Sequence, residues 1–384
     1  MNVLFIVPPH ITFNGFTSPA TMHDRITTID NKNFGDIVTD MPLGCFSMSA
    51  YIKAQHKEVT TDIIDFNVLL RNVSSFNYVD FYTFFNDHFK SVNIEPDIIC
   101  ISSLFITAYQ SSIDLARCCR VNFPNSQITI GGSVAANLYA QIFKDCKEVD
   151  GICIGEGELP LSSLIIHKDF RHQTWITKDK ILKKTPVVRK FITELDDIPM
   201  LDYQMINLED YSSPSIAKYV MLGNSTKSIH YITARGCCHR CTFCASHSVH
   251  GRKVRAHSLD RIKRDFVHFK SLGIKLIVFQ DDHFLFDVPR FKTILKYLKE
   301  LELTPVLPGG LAMNAMDEEM LLMIKGLGLK EITLSIESGS EYVLKEIMHK
   351  PLNHKIIKRV VGLCKKVGLY TLANVMFGLP GETK

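Results

Sequence analysis

Short, mostly apolar runs at residues 3–7, 59–66, 97–102, 127–130 and 151–154 alternate with stretches whose apolar residues recur at helical spacing. Runs of this length, bounded by turn residues and separated by helical patterns, predict a parallel sheet with crossover helices on its faces. Their C-terminal ends run into small or polar residues: Pro8-Pro9, Ser102-Ser103, Gly131-Gly132-Ser133 and Gly155-Glu156-Gly157-Glu158. In an open α/β sheet that edge is where ligands bind. Residues 168–227 lack sustained periodicity and are broken by Pro186, Pro199 and Pro214, so they read as a connector.

A second alternating array starts at 228. Its predicted strands are 229–233, 276–280, 304–307, 331–336 and 370–377, and its helical patterns include 259–272, 289–301 and 354–367. The organisation expected is α/β throughout: a Rossmann-like, doubly wound parallel sheet over 1–167, the connector over 168–227, and a partial β/α barrel over 228–384. Barrel chemistry gathers at the C-terminal strand ends, here the loop after 233, Asp281-Asp282, Asn314, Glu337-Ser338 and Asn374. The chain stops in Gly378-Leu379-Pro380-Gly381-Glu382-Thr383-Lys384, a turn signal with no following helix, and reads as truncated within the barrel.

Composition narrows the class of partner. Lys plus Arg at 44 against Asp plus Glu at 40 leaves a net charge of +4, no electrostatic footprint for nucleic acid or an anionic membrane. A small molecule or peptide is the expected substrate. The apolar start ends at Pro8-Pro9 without a basic flank, and no apolar stretch is long enough to span a membrane, so the cytoplasm is the expected compartment. In that compartment eleven cysteines imply reduced thiols or metal ligands, not disulfides.

Four of them crowd into Arg235-Gly236-Cys237-Cys238-His239-Arg240-Cys241-Thr242-Phe243-Cys244. The CxxxCxxC spacing puts three thiols on one short loop. Three thiolates on a four-iron cluster leave one iron open to a substrate, whereas clusters that only carry electrons are usually closed by four cysteines. A structural zinc site completed by Cys238, His239 or His247 stays open on these residues alone.

With Thr233-Ala234-Arg235-Gly236 leading in and Phe243 before the last cysteine, the loop resembles the signature of the radical S-adenosylmethionine (radical SAM) superfamily; Cys238 stands where a proline is common. The resemblance implies a 4Fe-4S cluster on Cys237, Cys241 and Cys244, with S-adenosylmethionine on the open iron. It also implies cofactor contacts at Phe243, at Asp282 in a second-strand terminus, at Glu337 and Ser338 in the Ser335-Ile336-Glu337-Ser338-Gly339-Ser340 motif, and at Gly378. Bottom-up, a carboxylate at a strand end suits ribose hydroxyls, with a surface ion pair as the alternative for Glu337. Asp281-Asp282 can equally cap the next helix. No basic residue stands at the third strand's end, so the cofactor carboxylate has no assigned partner.

The N-terminal segment resembles the cobalamin-binding domain that precedes the barrel in one radical SAM branch. That implies corrin contacts at Ser102, Ser103, Gly131, Gly132, Gly155 and Glu156, although Gly131-Gly132 also suits a tight turn and Glu156 and Glu158 a helix cap. There is no DxHxxG motif to place a histidine under cobalt. By resemblance the expected activity is reductive cleavage of S-adenosylmethionine and methyl transfer through cobalamin to an unactivated carbon, with a reductant such as flavodoxin or ferredoxin. A cobalamin-associated cyclase or rearrangement enzyme, or a non-catalytic corrinoid-binding fragment, are the alternatives.

Overall fold

The computed structural model describes residues 1–19, 26–211, 227–309 and 311–382. It divides into two compact units, Met1–Ile192 with Ile198–Asp210, and Thr193–Asp197 with Tyr211–Lys384.

In the first unit β1 (Asn2–Val7), α1 (Leu43–Gln55), β2 (Thr60–Asp65), α2 (Phe66–Asn72), α3 (Phe81–Ser91), β3 (Ile98–Ser102), α4 (Tyr109–Asn122), β4 (Gln127–Gly131), α5 (Ser133–Asp145), β5 (Gly151–Cys153), α6 (Glu158–His167) and β6 (Trp175–Ile176) follow in order. The strands form one sheet of order β2-β1-β3-β4-β5-β6, parallel except at β6. Burial explains the sequence pattern: Val3 to Val7 and Ile98 to Cys100 have no solvent-facing side, as helices covering both faces require. An aromatic cluster of Phe16, Phe34, Phe66, Phe76, Phe81, Phe84 and Phe85 fills one side of the core. Strand order reverses at β1, so the loops after β1 and β3 flank the switch point.

Residues just past 167 correct the connector expectation. Trp175–Ile176 adds an antiparallel edge strand, with Cys153 opposite Trp175, and the indole N–H donates to the Pro160 carbonyl at 3.0 Å. Two residues are too few to show a period, so this strand leaves no pattern in the sequence. Further on, Asp196 belongs to the second unit, where its carboxylate accepts from His257 Nδ1 at 3.0 Å and Ser258 N at 3.1 Å.

The second unit runs β7 (Ser228–Tyr231), α7 (Leu259–Ser271), β8 (Leu276–Phe279), α8 (Val288–Glu300), β9 (Thr304–Val306), α9 (Glu318–Gly326), β10 (Glu331–Glu337), α10 (His354–Val367) and β11 (Tyr370–Val375). Each helix begins on a side chain accepting from the first turn: Ser258, Asp287, Asp317 and Asn353 in turn. The five strands expected as one array form two parallel sheets, β9-β8-β7 and β10-β11. At the break β9 has three residues, and Pro305 within it has no N–H to donate. No helix among the described residues is long and apolar enough to cross a membrane.

Candidate functional site

The cysteine loop leaves β7 through a two-residue antiparallel pairing of Ala234–Arg235 with Arg255–Ala256. Gly236 has φ +96, and a Cβ there would meet the Lys253 carbonyl oxygen at 2.5 Å, so the loop requires glycine. The Gly236 N–H donates to Asp282 Oδ2 at 2.9 Å, and His250 Nδ1 lies 2.9 Å from the same oxygen. Burial pushes the Asp282 carboxyl upward, but His250, the Gly236 amide and Arg235 outweigh it and hold the group below the usual carboxylate range. Asp281 beside it is buried, accepts from the Thr233 amide and hydroxyl, and is raised by burial to about 6. Neither acid caps α8; Asp287 does. The pair instead fixes both ends of the lead-in, Thr233 and Gly236.

Cys237, Cys241 and Cys244 are half-buried and Cys238 is exposed, whereas the other seven cysteines are buried. Burial raises Cys237 to about 11, helped by the neighbouring Cys238, Asp282 and Cys244. Cys241 is raised by burial too, against the pull of Lys350. The loop is stitched to the turn after β10, where Thr242 N and Oγ1 donate to Met348 O and Ile347 O at 3.0 and 2.8 Å. Phe243 packs on Val343, Leu344 and Met348.

That stitching brings in Glu337, the last residue of β10. It is 8% exposed, sits at φ +68, and accepts from Lys350 Nζ at 3.1 Å. A non-glycine residue in the left-handed region is strained, which is characteristic of functional sites. Lys350 Nζ also lies 5.8 Å from the Phe243 ring centre. Nothing in the sequence flagged this lysine, yet it is the cation beside Phe243, Cys241 and Glu337. Ser338 is buried, and its hydroxyl accepts from Ser340 N at 3.2 Å, closing the turn. Gly378 has φ +81; its N–H and that of Leu379 donate to Glu382 Oε2 at 2.7 and 3.1 Å. The structure thus gathers the three cysteines, Phe243, Asp282, Glu337 and Lys350 about one loop, with Ser338 and Gly378 shaping the adjoining turns.

The donor set also bears on zinc. Cys238, His239 and His283 bring ligand atoms within 4.8 Å of one another. His247 is not among them; its Nδ1 lies 2.9 Å from the Cys244 carbonyl.

At the first unit's sheet edge, Ser102 stands opposite Gly131 in register. Ser103 is fully buried, its N–H donating to Gly131 O at 2.8 Å and its hydroxyl accepting from Ser112 at 2.9 Å. Gly132 has φ +98, and a Cβ there would stand 2.3 Å from Ser103 O. Ser103 and Gly132 therefore hold two loops in close contact, leaving Ser102 and Gly131 as the residues of this set at the edge. Gly155 has φ +103, and Glu156 is buried beside Cys153, whose thiol donates to the Glu156 carbonyl at 3.7 Å. Neither Glu156 nor Glu158 caps α6 through its side chain; Glu158 is the acid in its first turn and accepts from the Ser47 hydroxyl.

Residues 231–384 match the model of the radical SAM superfamily. The chain is 25% identical over 313 residues to a cytidylyl-2-hydroxyethylphosphonate methyltransferase of Streptomyces wedmorensis, covering 74% of this chain and 58% of that protein. It is 20% identical over 337 residues to an anaerobic magnesium-protoporphyrin IX monomethyl ester cyclase of Cereibacter sphaeroides, covering 81% and 52%. The chain thus spans little more than half the length of these relatives. Among solved structures it resembles the radical S-adenosylmethionine methyltransferase TsrM of Kitasatospora setae, determined with tryptophan and a SAM analogue, at 15% identity and a TM-score of 0.69 over 100% of this chain and 68% of that one. At that identity the likeness is one of fold.

Proposed function

Residues 231–384 are a radical SAM domain, and from that premise we propose that the protein is a cobalamin-dependent radical SAM methyltransferase acting on an unactivated carbon of a small molecule or peptide. The observation that carries this reading is the assembly of the CxxxCxxC loop with Asp282, from the end of β8, and with Glu337 and Lys350, at and after the end of β10. It is supported by the fold shared with TsrM, whose structures include one with cobalamin and a [4Fe-4S] cluster.

The residues present fit both groups. Three half-buried thiols on one loop are a donor set for a cluster with one open iron. In the first unit, Ser102 and Gly131 stand at the sheet edge, and His10 adds a buried, unpaired Nε2 at the switch point. When bound, the cluster supplies the electron that cleaves S-adenosylmethionine, and the corrin relays the methyl group.

The chain's own residues do the positioning. Asp282 anchors the loop through Gly236, and Thr242 ties its far side to Met348, so the three thiols are held before metal arrives. Lys350 offers its ammonium to the cofactor carboxylate, the partner missing at the third strand's end. Glu337, strained and beside it, accepts from the ribose hydroxyls. Phe243 backs the cysteine loop by packing on Val343, Leu344 and Met348.

The finer readings belong to the same proposal: the doubly wound cobalamin-type sheet, the partial barrel, a reductant such as flavodoxin or ferredoxin, and a cytoplasmic location. The test is product analysis after anaerobic reconstitution with iron, sulfide and hydroxocobalamin. Supplied with S-adenosylmethionine, a strong reductant and substrate, the protein forms 5′-deoxyadenosine and S-adenosylhomocysteine together. Deoxyadenosine without S-adenosylhomocysteine selects cyclase or rearrangement chemistry, the activity named for the Cereibacter relative. Neither product overturns the proposal.

A further inference from the structure

The contact that anchors the cysteine loop also gathers a second set of donors. Because the Gly236 N–H is held on Asp282 Oδ2 at 2.9 Å, the residues just after Gly236 lie against the residue just after Asp282. Those residues are Cys238 and His239 on the loop and His283 beyond the end of β8. The Sγ of Cys238 and a ring nitrogen of each histidine come within 4.8 Å of one another. The two imidazole rings lie 4.7 Å apart between centres, tilted by 38°.

The backbone under this trio is fixed without any metal. The His239 carbonyl accepts from the Arg252 guanidinium. His283 precedes the turn Phe284–Phe286, and the buried Phe284 packs against Phe279 and Phe291 with ring centres 4.6 and 4.7 Å away. Cys238 is exposed and both histidines are half-buried, so a cation reaches the donors from solvent. The other two histidines of the loop are used differently, with a ring nitrogen 2.9 Å from the Cys244 carbonyl for His247 and 2.9 Å from Asp282 Oδ2 for His250.

We propose that Cys238, His239 and His283 bind one Zn²⁺ ion, in a second metal site beside the three cluster cysteines. One thiolate and two imidazoles are a donor set that zinc accepts, and three protein ligands leave the fourth tetrahedral position to water. Bonds of roughly 2.0–2.3 Å place ligand atoms roughly 3.3–3.6 Å apart around the ion, so changes in side-chain χ angles close the trio onto it. Binding releases the Cys238 thiol proton to solvent and changes no oxidation state. The trio takes none of Cys237, Cys241 and Cys244, so zinc here adds to the iron and does not replace it. The ion then ties the cysteine loop to the end of β8 at a second point besides Asp282. This inference goes beyond the methyl-transfer reading and does not depend on the corrin.

The experiment uses the full chain, anaerobically reconstituted with iron and sulfide, given Zn²⁺ and passed through gel filtration before both metals are measured. The expected result is about one zinc per chain alongside the cluster iron, with zinc lost and iron retained in Cys238→Ala and in His283→Gln. X-ray absorption at the zinc edge reads the same site in the unaltered protein, where the expected shell is about one sulfur at roughly 2.3 Å with nitrogen or oxygen at roughly 2.0–2.1 Å. A wild-type chain that retains no zinc overturns the proposal, as does zinc that survives His283→Gln. Zinc with three sulfur neighbours, lost in Cys241→Ala, also overturns it, because the ion then sits on the cluster cysteines.

Discussion

At the residue scale, the site depends on a few polar contacts placed where nothing else substitutes. Asp282 is the clearest: one oxygen serves both the Gly236 amide and His250. Asp282→Asn keeps the shape but removes the charge, and a hydrogen bond to a charged group contributes about 1.5–3 kcal/mol. The cluster of that variant should lose iron to a chelator roughly tenfold faster or more, read from the decay of visible absorption. Proton linkage gives a second prediction. Ligation needs thiolates, and burial holds Cys237 near 11, so binding must expel a proton at neutral pH. Iron affinity should therefore rise with pH between about 6 and 9, by up to roughly tenfold per unit for each proton released, measured by chelator competition. An affinity independent of pH would show that the thiols are already ionised.

The element scale shows what the chain's pattern can and cannot encode. Strands such as β1 and β3 are legible because they are buried on both faces and so read as unbroken apolar runs. Helices α7, α8 and α10 are legible from their stripes and from Ser258, Asp287 and Asn353 at their starts. Strand β6 is not, being two residues long, and the break after β9 shows only as prolines whose effect on pairing depends on the neighbouring strand. Within the site, the cysteines are legible because their spacing is local. Lys350 is not, because its partner Glu337 lies 13 residues away across a turn that no period marks. Asp282 is read at the right place but with an incomplete role: its carboxylate is seen holding the loop. The turn between β4 and α5 gives the prediction at this scale. Gly132→Ala forces φ +98 on a Cβ and drives it into Ser103 O at 2.3 Å, so the variant should lose about 2 kcal/mol or more in denaturant unfolding. Gly131→Ala, whose Cβ would meet only Cys153 at 3.7 Å, should unfold nearly as the wild type does.

For the whole molecule, two units with separate cores each present a strand-end edge suited to a different cofactor. One carries small residues and a buried histidine at a switch point; the other carries three thiols held by an acid from the next strand end. Among the described residues the first unit's cysteines are all buried, and burial raises Cys100 and Cys153, so its edge presents no exposed thiol for a second cluster. The corrin reading and the cluster reading are therefore complementary, and the account stands on both groups being bound by one chain. The direct measurement is iron, sulfide, zinc and corrin content of the anaerobically reconstituted full chain, with deoxyadenosine formation followed in parallel. The account predicts about four irons and one corrin per chain, with iron and deoxyadenosine lost together in Cys241→Ala and corrin retained. Zinc in place of iron on the loop, or iron that survives Cys241→Ala, would contradict it.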